Sequence, residues 1–257
     1  MLTANILIEG LSSYILVFCR IGGMIFFNPL LARKNVPSTV RVALVMCITL
    51  LITPTLSAAA PAAFTDFVFL WNMIKELAVG FACGILFQFY YYMLFAAGDI
   101  IDMGFGLSMA KAFDPATNIQ VSVSGKLFQL LFGLYFFATN SHLVFIYLMV
   151  SSYDIVGIGA VTFGADIASF MMTLFSSVFL LTMQLALPFI AASFILEISM
   201  GLLMKIIPQI NVFAIHFQFK VLLGLLLLFL FAEPTSLFLR EYINTLFVSM
   251  QNLLGMI

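Results

Sequence analysis

Asp99 and Asp102 stand three residues apart, so a helix would set both carboxylates on one face. Such a pair can share a proton, as coupling carboxylates do in proton-driven carriers, or it can simply lie in solvent. Lys111 and Lys126 follow in the same connection and balance the charge. Lys75 and Glu76 are adjacent and point apart on a helix. Each must meet a different helix or subunit, or reach the headgroup level. Glu197 precedes Lys205 by eight residues, too far for an i, i+4 pair, and needs a partner on another helix. Arg20 sits inside the first apolar run. A charge at a helix centre in a bilayer costs about 2.5–3.5 kcal/mol on the insertion scale, so each of these residues needs a partner, water or a use.

Catalytic constellations are missing from this inventory. The chain has two histidines, and His142, after Asn140 and Ser141, reads as a hydrogen-bonded structural residue, because zinc takes four ligands. Cys19, Cys47 and Cys83 are isolated in apolar sequence, odd in number, and read as core cysteines with neither a metal site nor a disulfide framework. Neither G-x-S-x-G nor H-E-x-x-H occurs. The expectation is a protein that is not an enzyme and has no cofactor and no metal. Ten basic against eleven acidic residues give no electrostatic reason to expect nucleic acid.

The elements that position these residues belong to a membrane. Hydrophobic residues make up 64% of the chain and charged residues 8%, against roughly 25% charge in a soluble domain. Six apolar segments can be drawn, at about 6–28, 41–60, 67–97, 127–150, 167–204 and 212–232. Backbone groups in lipid must be satisfied internally, and no ten-residue alternation suggests a barrel, so the expected fold is an all-α polytopic membrane protein built of helical hairpins. No Lys or Arg precedes Arg20, so the first segment lacks the basic start of a cleavable signal and the N-terminus should persist. Arg33, Lys34, Arg41, Lys111, Lys126 and Lys205 place connections one, three and five in the cytoplasm, with Arg240 dissenting. Segment three is too long for a simple crossing, and so is segment five, which Pro188 should break.

Gly80 and Gly84 form a GxxxG spacing, and Gly22, Gly23, Gly98, Gly104 and Gly106 add small sites where helix backbones can approach. The tail, residues 236–257, carries Leu239, Ile243, Leu246, Phe247, Met250, Leu253 and Leu254 at helical spacing and should lie on a surface or against a partner. No linker divides the chain, which reads as one domain over residues 1–257.

Two connections stand out. GFGLSMAKAFDPATNIQVSVSG, from Gly104 to Gly125, is long and polar where the other loops are short. Asp114-Pro115 signals a turn, while Met103, Met109 and Phe113 let the loop bury part of itself. It reads as a plug or gate, or as a mobile cytoplasmic loop. In IIPQINVFAIHFQFK, residues 206–220, Pro208 ends a helix, Gln209 and Asn211 can satisfy freed backbone groups, and the chain reverses.

Taken together, the residues resemble the FliR/SctT family, the membrane subunit of the export gate in bacterial flagellar and type III secretion systems. The likeness runs through Arg20-Ile-Gly22, Asn28-Pro29, Val36-Pro37, Arg41, Lys75-Glu76, Gly80, Gly84, Gly98, Asp102, Gly106, Asp114-Pro115, Leu187-Pro188, Glu197, Gly201 and Lys205. Its most specific string is Pro208-Gln209-Ile210-Asn211-Val212-Phe213. GDIIDMGFGLSMAKAFDPATNIQ is more similar to the flagellar branch, although Ser141 stands where that branch often has Gly before the His.

The resemblance implies a subunit in a helical assembly around a narrow channel for unfolded substrates, at the flagellar basal body in the bacterial inner membrane. It implies FliP-like and FliQ-like neighbours, with FlhB-like and FlhA-like export components close by. Residues 104–124 would be a plug, with Gly106, Met109, Lys111, Phe113, Asp114 and Pro115 in it. Pro208, Gln209, Asn211, Phe213 and Lys220 would form an assembly hairpin. Members of the family are held partly above the bilayer, so charge counting would describe insertion better than the assembled state. The competing reading is an ion-coupled secondary transporter using Asp99, Asp102 and Glu197.

Overall fold

Helices make up almost all the regular structure that these apolar runs form. The computed structural model describes residues 2–33, 36–56, 66–109, 122–164, 166–206 and 212–257, with the backbone alone described at residues 2–10, Asp66, Met109 and 212–214. The long helices are α1 Leu2–Phe26, α2 Ser38–Ile52, α3 Asp66–Gly104, α4 Val123–Ala138, α5 Ser141–Ile155, α6 Asp166–Ile206, α7 Val212–Leu230 and α8 Ala232–Leu254. No strand occurs among the described residues. The architecture is all-α, as the composition requires.

Local chemistry sets the helix ends. α1 stops before Asn28-Pro29, where the buried Asn28 Oδ1 accepts the N–H groups of Leu30 at 2.9 Å and Leu31 at 3.3 Å. α7 gives way to α8 at Phe231 because Pro234 lacks the N–H that would reach the Leu230 carbonyl, and its ring would clash there.

α3 has 39 residues and α6 has 41, each roughly 60 Å long at 1.5 Å per residue, twice a hydrocarbon core. Among the described residues three helices are long and apolar enough to cross a membrane, or up to five spans if each bent pair, α4 with α5 and α7 with α8, counts as one.

Other details also differ from the sequence reading. Segment four is two helices rather than one, because Asn140 takes a left-handed conformation at φ 58° between α4 and α5. Asn is among the few side chains that tolerate it. α6 runs unbroken through Pro188, since a single missing donor leaves the flanking i to i−4 bonds to carry the helix. Cys83 is buried but Cys47 is exposed on α2, so an apolar neighbourhood in the sequence does not mean an interior position in a membrane chain.

By internal packing the chain falls into two compact units. One comprises Met1–Phe89, Thr139–Leu174 and Asn244–Ile257, the other Tyr90–Ala138 and Phe175–Ile243. The tail helix contributes to both. Its apolar stripe, including Leu239, Ile243, Leu246, Met250, Leu253 and Leu254, is buried, so the surface it was expected to meet belongs to this chain. Arg240, Glu241, Asn244, Gln251 and Asn252 face outward.

Candidate functional site

Arg20 and Glu76 lie fully buried in the first unit. Arg20 Nε donates to Glu76 Oε2 at 2.5 Å and Nη2 donates to Oε1 at 3.0 Å, a two-pronged pair. The remaining guanidinium protons go to carbonyls at the end of α5: Nη1 to Ser152 and Val156, both at 2.9 Å, and Nη2 to Gly157 at 3.4 Å. A helix C-terminus leaves carbonyls unpaired and negative, which suits a cation. The Tyr153 ring covers the guanidinium at 4.3 Å. Glu76 Oε1 also accepts the Gly159 N–H at 2.8 Å, from a turn in which Gly159 has φ 73°. Lys75 Nζ caps the Val161 carbonyl at 3.1 Å. Adjacent and diverging, Lys75 and Glu76 thus hold one loop from two directions.

Glycines bring the charges together. A Cβ on Gly80 would lie 2.2 Å from the Arg20 carbonyl oxygen, and one on Gly23 would lie 2.8 Å from Gly80 Cα. Only bare backbones let α1 and α3 approach this closely.

In the second unit Asp102 is 1% exposed and caps α4. Its Oδ2 accepts the Ser122 hydroxyl and the Val123 N–H, both at 2.7 Å, and its Oδ1 accepts the Ser124 N–H at 3.3 Å. These are the unpaired donors of a helix N-terminus, and an anion there also meets a favourable dipole. One turn earlier on α3, a Cβ on Gly98 would lie 2.1 Å from Gly125 N. The two ends of the 104–124 connection are therefore fastened to each other. Gly106, at φ 74°, opens the connection, and a short 3₁₀ turn, Leu107–Met109, follows.

Glu197 on α6 meets Lys220 on α7, with Nζ to Oε1 at 2.5 Å. Glu197 lies eleven residues before Pro208, and Lys220 eleven after Gln209. Residues equidistant from a reversal lie side by side in antiparallel helices, because both rise equally per residue. Phe189 on α6 also meets Phe231, just past the end of α7, with ring centroids 5.4 Å apart. Lys205 is exposed in the last turn of α6, where a cation favours the helix dipole.

Of the other expected plug and hairpin residues, Lys111, Phe113, Asp114, Pro115, Pro208, Gln209 and Asn211 lie outside the described residues, and Met109 and Phe213 are placed by backbone alone. The sequence reading marked Arg20, Glu76, Glu197 and Lys220 but joined none of them. Equal spacing about Pro208-Gln209 was the available signal for the last two. The role of the Gly157–Ala160 turn was also missed, although Gly-Ile-Gly is itself a turn signal. Among the described residues no cluster of three His, Cys, Asp or Glu side chains could hold a metal.

Comparison with known proteins places the chain among export proteins. Bacterial export proteins, family 1, match over residues 11–246. Flagellar biosynthetic protein FliR of Escherichia coli (strain K12) is 31% identical over 86% of this chain and 84% of its own length. The protein of that name from Bacillus subtilis (strain 168) is 23% identical over 98% of both chains. The one from Caulobacter vibrioides is 27% identical over 83% of this chain and 85% of its own. The chain belongs to the bacterial export proteins of family 1, in the flagellar branch whose relatives carry the name FliR.

Proposed function

We propose that this component of the flagellar export apparatus is the subunit that gates its channel, with residues 104–124 as the plug. The observation that carries the reading is the closed base of that connection, where Asp102 caps Ser122 to Ser124 and Gly98 abuts Gly125. A loop fastened at both ends to one rigid crossing can shift between them without unseating α3 or α4. Such a loop suits a plug better than a flexible linker would.

In this reading the helices form part of the channel wall in the inner membrane, and apolar side chains with the plug seal it against ions. Energy for export comes from other subunits. FliP-like and FliQ-like proteins are the neighbours in a hetero-oligomer, FlhB-like and FlhA-like components adjoin it, and exported unfolded proteins pass through. Many large apolar side chains are exposed on this chain, among them Leu222, Leu225, Leu226 and Phe229 on α7 and Met46, Leu50 and Leu51 on α2. Lipid and neighbouring subunits are the surfaces that can cover them. The transporter reading is not favoured, because Asp102 is engaged in a helix cap and Glu197 in an ion pair.

The test is purification from cells that also express the FliP-like and FliQ-like proteins, in mild detergent, with the mass of the eluting species measured. One large complex containing all three is expected. A lone subunit that ignores both would overturn the reading.

A further inference from the structure

We infer that Phe105 is a positioning residue that latches the stem of the 104–124 connection to the α6–α7 hairpin, with Gly224 as its notch. This rests on the gate reading above and adds the joint through which the hairpin acts on the gate. Phe105 is fully buried. A Cβ on Gly224 would lie 2.7 Å from Phe105 Cγ and 2.9 Å from its Cβ, so the ring seats only where α7 has no side chain. Phe189 on α6 closes the other side, with ring centroids 6.5 Å apart and planes at 84°. Phe189 packs in turn on Phe231.

The next residues strengthen the grip. Gly106 turns the chain at φ 74°, where a Cβ would lie 3.5 Å from the Phe217 ring, and the Ser108 hydroxyl donates back to the Asp102 carbonyl at 3.1 Å. The stem thus seats on α7 at Gly224 and faces Phe217 two turns earlier, while its own base is held by Asp102. Glycine inside a helix costs about 1 kcal/mol against alanine, so Gly224 needs a reason to be there, and the seated ring supplies one. Movement of α7 against α6 must carry Phe105 with it or unseat it. A push on the hairpin therefore reaches the start of the plug.

A reversible lock tests the latch in the assembled export complex. The variant Phe105→Cys with Gly224→Cys is made in a chain carrying Cys19→Ser, Cys47→Ser and Cys83→Ala, and oxidant is added after assembly, so folding precedes the lock. The Cβ separation of 2.9 Å is a little under the roughly 3.5–4.5 Å of a disulfide, so a small shift closes the bond. Oxidation is expected to cross-link the pair and stop export, and reductant to restore it. Failure to cross-link, or undiminished export by the cross-linked complex, overturns the latch. In a second measurement Gly224→Ala should raise the ion conductance of the complex, and adding Phe105→Leu should bring it back down. If deletion of residues 110–114 leaks while Gly224→Ala does not, the latch fails and the gate stands. If the deletion does not leak, the gate reading itself falls.

Discussion

Arg20 and Glu76 join α1 to α3 through two parallel hydrogen bonds of 2.5 and 3.0 Å, and neither side chain has any exposed surface. All five guanidinium protons have acceptors once the Ser152, Val156 and Gly157 carbonyls are counted. Removing one partner leaves the other charge buried and unpaired, at a cost of about 3–5 kcal/mol. Glu76→Gln should therefore lower the apparent melting temperature of the purified chain sharply, read by loss of helical signal on heating. Arg20→Met with Glu76→Leu should recover part of it, because two apolar residues leave no uncompensated charge. A double variant as unstable as Glu76→Gln would show that the carbonyls of the 152–157 segment, not the pair, set the cost.

Gly80 and Gly201 make opposite predictions for the same substitution. A Cβ on Gly80 meets the Arg20 carbonyl at 2.2 Å, whereas one on Gly201 meets nothing within 4 Å. Gly80→Ala should force α1 and α3 apart and destabilise the chain by about 1–3 kcal/mol. Gly201→Ala should hold stability or raise it by up to about 1 kcal/mol, since helix propensity improves and nothing clashes. Thermal unfolding of the two variants side by side checks both. If Gly201→Ala is neutral for the isolated chain yet lowers recovery of the export complex, Gly201 serves an interface between subunits.

The sequence showed the helices more readily than the joints. Apolar runs, Pro, Asn-Pro and the GxxxG spacing act within a few residues, so α1, α3, α6 and the helical tail were legible with their approximate ends. Whether Pro188 breaks a helix or Asn140 does depends on what surrounds each residue, and the sequence reading chose the wrong one. Arg20, Glu76, Glu197 and Asp102 were singled out because a charge in an apolar run needs a reason. Their partners were not legible: Arg20 and Glu76 lie 56 positions apart, and nothing local states which crossing brings them together. Phe105 drew no notice at all, since a phenylalanine among thirty carries no signal until Gly224 is seen against it.

Asp102→Ala removes the acceptor for Ser122, Val123 and Ser124 together. Loss of an N-terminal cap costs about 0.5–2 kcal/mol, and burial of the freed donors places this case at the upper end. The expected result is an assembled complex that conducts ions above the wild-type level, since the base of the 104–124 connection would no longer be pinned. Asp102→Asn keeps an acceptor oxygen and should fall between the two. Conductance of complexes in planar bilayers distinguishes them, and wild-type conductance for Asp102→Ala would separate the cap from any part in sealing.

Glu197 and Lys220 differ in kind from the buried pair. Their side chains are 48% and 15% exposed, so solvent screens the attraction, and such pairs contribute about 0–1 kcal/mol. Glu197→Ala alone should barely change thermal stability. The pair's position, equidistant from Pro208-Gln209, suits it instead to fixing how α6 and α7 slide past each other. Lys220→Glu would set two carboxylates together and push the hairpin out of register, whereas Lys220→Glu with Glu197→Lys restores the attraction in reverse. Swimming motility should therefore fall in the single reversal and recover in the double one. Recovery in the double variant identifies register as the pair's function; a defect that persists would mean that one of the two side chains is needed for a contact with another subunit.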